Sequence, residues 1–137
     1  MNSYVQLGLA IALCSTGLQA HDDSYFDAHA APHGGQVRMA GAYHVEAVVK
    51  DGKLVLYVTD HGDQPQSTAG WQGRATLLTA GQADRLMLNA AGDNRLESDT
   101  AISVQSDSKI VVVLQPSEGD SLPLSYSLGS TPQASLP

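Results

Sequence analysis

From Gln36 to Leu128 no stretch of the chain sustains the helical spacing of apolar residues. It runs instead in short pieces that alternate apolar and polar side chains, or that are β-branched throughout. Glycine, proline, aspartate and asparagine separate the pieces. A chain patterned this way has almost no room for helix and must be built strand, turn, strand.

Gln36 to Met39 reads as a short first strand. Tyr43 to Lys50 alternates, with Tyr43, Val45, Ala47 and Val49 on one face and His44, Glu46, Val48 and Lys50 on the other. Asp51 and Gly52 both tolerate positive φ and so turn a two-residue hairpin. The return strand, Lys53 to Asp60, is apolar on both faces and therefore central. His61 to Gly70 is a polar loop. Trp71 to Thr79 and Arg85 to Asn89 form a second hairpin turned by Ala80 to Ala83. Arg95 to Ser98 pairs briefly, and Ile102 to Val104 and Ile110 to Leu114 are further strands. Leu122 to Leu128 is an edge strand, since Pro123 has no N–H for a central ladder. Trp71 and Met87 read as core residues. The expected fold is all-β: a two-sheet antiparallel β-sandwich, Ig-like, of seven or eight short strands, preferred over a small barrel of the same strands.

The first twenty residues read as a secretory signal. The apolar run Val5 to Leu13 is too short to span a bilayer, and Leu18-Gln19-Ala20 offers a cleavage site. Leu13 is too large for lipid to be attached at Cys14, so the sole cysteine leaves with the signal and no disulfide remains. The expected organisation is signal 1–20, a mobile arm 21–32, the β-sandwich 33–130 and a frayed tail 131–137. The expected location is the periplasm, with no membrane insertion once the signal is removed. A net charge of −7 argues against nucleic acid and against anionic lipid as partners. It favours cations near the surface.

All five histidines fall between His21 and His61. His44 and Glu46, two apart on a strand, share a face, and Pro32-His33-Gly34-Gly35 can turn His33 toward them. Two imidazoles and a carboxylate suit a divalent transition ion, with copper or zinc first. The plainer reading is a histidine in a glycine turn beside a solvated strand face. Asp60-His61-Gly62-Asp63 can add donors from Asp60 or His61, or can simply cap its own backbone. His21, if it becomes the amino terminus, can chelate an ion through its amine and ring, with His29 completing the site. Neutral imidazole is the ligating form, so affinity is expected to fall as pH drops through about 6.5. Met39 is the methionine nearest the histidines, and a soft Cu(I) site is not indicated. No Gly-x-Ser-x-Gly elbow, phosphate-cradling loop or acid/base carboxylate pair stands out, so no enzymatic activity is expected.

The run Ala31-Pro32-His33-Gly34-Gly35, then Gly41, His44 and Glu46, then Gly52 to Asp60, resembles a small periplasmic domain of heavy-metal efflux systems. That domain occurs near the amino terminus of some periplasmic adaptor subunits of tripartite cation-efflux pumps and as small free-standing exported proteins. The resemblance covers Pro32 to Leu78 and continues weakly to Leu114. It implies a β-sandwich that binds or delivers copper, zinc, cobalt, cadmium or nickel ions. His33, His44 and Glu46 match the polar positions of the motif, and Asp60 its strand-ending acid. His61 stands outside the pattern. The implied function is a metal-binding accessory protein that buffers an ion or hands it to an efflux adaptor. The alternative is a metal-free module that docks on a pump subunit.

Overall fold

A computed structural model describes residues 31–129. The expected signal 1–20, the arm up to residue 30 with His21 and His29, and the tail from residue 131 lie outside the described residues. Within them the chain forms eight strands and no helix: β1 (Gln36–Ala40), β2 (Tyr43–Lys50), β3 (Lys53–Asp60), β4 (Gln72–Thr79), β5 (Gln82–Ala90), β6 (Arg95–Ser98), β7 (Lys109–Gln115) and β8 (Leu122–Ser127). All pairings are antiparallel, in the order β1-β2-β3-β6-β5-β4-β7-β8.

The two-residue hairpin at Asp51-Gly52 has positive φ at both positions (52° and 77°). This matches the right-handed twist of the strands it joins. Ala80 and Gly81 do the same between β4 and β5 (48° and 79°), so that turn is tighter than the four residues expected from sequence.

Alternation then decides what is buried. Leu54, Leu56 and Val58 of β3 and Ile110, Val112 and Leu114 of β7 all point inward and are fully buried. Each contributes about 1.5–3 kcal/mol by leaving water. Trp71, just before β4, closes the interior edge-on to Tyr43, with ring centres 5.0 Å apart.

The two-sheet sandwich is not confirmed, because β6 joins what would have been two sheets. Leu96 pairs with Leu56 of β3 on one side and Ala90 of β5 on the other. The result is one continuous sheet that curls until its ends, β1 and β8, meet. There Gln36 stands in for a ladder rung. Its side-chain amide donates to the Ser127 carbonyl, and its Oε1 accepts from the Ser127 N–H. Tyr126 adds a hydrogen bond from its hydroxyl to the Val45 carbonyl, 2.8 Å. The molecule is a nearly closed barrel.

Two local expectations are also corrected. Ile102 to Val104 forms no strand. Its first N–H bonds the Gly52 carbonyl at 2.7 Å, so the segment crosses the end of the β2–β3 hairpin. Met87 is not core but 46 % exposed, because Leu86 and Leu88 on either side take the inward positions.

Candidate functional site

The three histidines among the described residues, His33, His44 and His61, gather on the outer surface of β2 and β3. Val45 points into the barrel, which turns His44 and Glu46 outward. The register sets Glu46 between Val37 and Tyr57, and His44 between Met39 and Thr59. An outward carboxylate on a strand ordinarily faces water. Glu46 is only 4 % exposed, because the segment before β1 folds over it.

That segment starts as a turn, with the Gly34 N–H bonding the Ala31 carbonyl at 3.0 Å and Pro32 in its favoured second position. Gly34 has a φ of +75°, and Gly35 lies directly against β2. A Cβ on Gly35 would stand 2.1 Å from the Ala47 carbonyl oxygen, so only glycine fits there. The close approach brings three donors onto one carboxylate. The His33 and Gly35 backbone N–H groups both reach Glu46 Oε2 at 2.9 Å, and His33 Nδ1 stands 2.8 Å from Oε1. Against an ionised carboxylate Nδ1 must be the donor, and a neutral ring then keeps its lone pair on Nε2. The ring lies flat on Tyr57, and the His33 side chain remains 44 % exposed.

A second assembly stands two residues back along β2. His44 Nε2 lies 3.1 Å from His61 Nδ1, with the rings nearly perpendicular. His61 Nε2 lies 3.1 Å from the Gly41 carbonyl, and His44 Nδ1 lies 3.8 Å from Asp63 Oδ1. Asp60 takes another part. Its Oδ1 accepts the Gly62 and Gln64 N–H groups at 2.8 and 2.9 Å, and its Oδ2 accepts from Gln66 at 3.2 Å. It caps the loop leaving β3, the plainer of its two sequence readings.

The expected meeting of His33, His44 and Glu46 thus resolves into two pairs, His33 with Glu46 and His44 with His61. Among the described residues no group of three or more His, Cys, Asp or Glu side chains is arranged to hold a metal ion. Sequence reasoning missed Tyr57, the Gly41 carbonyl and the placement of Asp63. The first was within reach, because counting the register out from Asp51-Gly52 sets Tyr57 opposite Glu46. No family model, curated protein or solved structure matches this chain.

Proposed function

We propose that this is a periplasmic metal-binding accessory protein without catalytic turnover. It takes up a divalent ion of the copper, zinc, cobalt, cadmium and nickel group, and buffers it or passes it to a cation-efflux adaptor. The observation that carries the reading is the grip of the buried Glu46 on His33. A carboxylate that holds one ring nitrogen by its proton fixes the tautomer and aims the other nitrogen outward. Metal-bound histidines are commonly supported in this way. In this reading His33 donates through Nε2, while Glu46 positions it rather than ligating. Asp60 supports the loop that carries His61. The compartment and the efflux partner come from the signal-like first twenty residues and the family resemblance.

Native mass spectrometry of the matured protein with Zn(II) and Cu(II) tests the proposal. One chelator-removable ion per chain is expected, and no uptake of either ion sinks it. The docking alternative has one observation in its favour. Leu78, Met87 and Val111 are each at least 40 % exposed on the outer faces of β4, β5 and β7. A chain that takes up no ion but binds a pump subunit through that surface would replace the first reading.

A further inference from the structure

The geometry points to His44 Nε2 and His61 Nδ1 as a two-nitrogen chelate for a divalent transition ion, with Cu(II) the preferred one. This rests on the metal-binding reading and adds a pair of donors to the His33 of that reading.

Two nitrogens bound to one ion at about 2.0–2.1 Å, meeting at roughly 90–110°, stand about 2.9–3.4 Å apart. The two ring nitrogens stand 3.1 Å apart. Folding alone creates the pair, since Tyr43 and Asp60 form the last rung between β2 and β3. His44 lies one residue inside that rung and His61 one residue beyond it.

The Gly41 carbonyl can only accept, so His61 Nε2 carries a hydrogen. A neutral His61 then has a bare Nδ1, and that lone pair faces His44. For the 3.1 Å contact to be a hydrogen bond, His44 Nε2 must be the donor. A cation takes the place of that single hydrogen as the rings turn toward it. His44 then carries its proton on Nδ1, the nitrogen that faces Asp63 at 3.8 Å. The exposed Asp63 side chain, 89 % accessible, has room to swing closer. For a neutral His44 the number of protons does not change, because the ring exchanges one tautomer for the other through water. Each ring would then present one nitrogen to the ion and give its remaining N–H to an oxygen, Gly41 for His61 and Asp63 for His44.

Neutral imidazoles without a thiolate or thioether favour borderline divalent ions, and among these Cu(II) binds nitrogen donors most tightly. Two protein donors, His44 on β2 and His61 on the exposed turn after β3, leave other coordination positions to water or to a receiving protein. Such a site suits an ion that is handed on.

Cu(II) titration of the mature protein, read by calorimetry and by the nitrogen hyperfine pattern in electron paramagnetic resonance, tests the chelate. His44→Ala and His61→Ala are each expected to weaken Cu(II) binding at least tenfold and to remove one coordinated nitrogen. Asp63→Asn is expected to have a smaller effect. Binding at unchanged strength in both histidine variants overturns the chelate but leaves metal binding through His33 standing. No uptake of Cu(II) or Zn(II) by the unaltered protein overturns both readings. Should a variant fail to fold, the unaltered protein still decides. Long-range proton–nitrogen spectra should show His61 protonated at Nε2 before Zn(II) is added, and His44 protonated at Nδ1 after. His61 protonated at Nδ1 in the metal-free protein overturns the assignment.

Discussion

His33 lies flat on Tyr57, with ring centres 3.7 Å apart and planes 4° from parallel. The strand pairing makes the contact possible, since Tyr57 is the β3 neighbour of Glu46, the residue that holds His33. Stacked aromatic pairs contribute about 0.5–1.5 kcal/mol beyond the area they bury. Tyr57→Phe should keep the stack and leave the His33 ring protons shifted upfield. Tyr57→Leu should abolish that shift and lower stability by about the same 0.5–1.5 kcal/mol. Proton NMR of the imidazole and a thermal melt read the two effects.

Glu46→Gln separates charge from shape. The carboxylate accepts three N–H groups, two of them from the backbone. A carboxamide has one accepting oxygen and an NH₂ that must face a donor. Either a backbone donor loses its acceptor or His33 must move its proton to Nε2 so that Nδ1 accepts from the new NH₂, and the bonds to the two backbone N–H groups lose their charge assistance. A fall in melting temperature is expected, with faster exchange of the Gly35 amide. Unchanged melting and exchange would show that the segment over Glu46 is held by something else. If His33 serves as a ligand, metal affinity should also fall by about 10–100-fold.

The two adjacent glycines make different demands. Gly34 has positive φ with open space around it, so Gly34→Ala should cost about 1–2 kcal/mol from backbone conformation alone. Gly35 meets the Ala47 carbonyl at 2.1 Å, so Gly35→Ala must push the whole segment away from β2 and release Glu46 from it. The second substitution should be the more damaging, and it alone should expose the Glu46 carboxylate to water. Denaturant midpoints rank the pair, and equal losses would mean that the close approach is not made in solution.

Local pattern carried most of the fold. β2, β3 and β6 begin and end where alternation and turn residues set them, because an Asp-Gly hairpin and a period of two are properties of neighbouring residues. Closure was not legible. It depends on Leu96 pairing to both sides and on a glutamine side chain filling a rung between strands at opposite ends of the sequence. Met87 shows the same limit on a small scale. A run of apolar residues does not say which of them faces in, and the phase was set by Leu86 and Leu88. At the site, Pro-His-Gly-Gly correctly signalled a turn reaching Glu46. His44 pairs with His61 rather than His33 because strand register, not sequence proximity, brings those rings together.

The seam between β1 and β8 is the place to test whether the barrel closes as a unit. The Tyr126 ring is buried, with residue exposure of 2 %, and its hydroxyl meets the Val45 carbonyl at 2.8 Å. Val45 sits on β2, so this bond reaches past β1 and ties the last strand to the second. Tyr126→Phe removes the donor while preserving the ring's packing against the core. A net loss of about 0.5–1.5 kcal/mol is the expected size for one hydrogen bond. For a two-state domain near this size, that corresponds to a melting temperature lower by several degrees. Opening should concentrate at the two end strands. Amide exchange should quicken in β1 and β8, while Leu54, Leu56 and Val58 of β3, at the centre of their half of the sheet, stay protected. Uniform acceleration across all eight strands would mean that closure and core unfold together, and that the seam has no separate stability to lose.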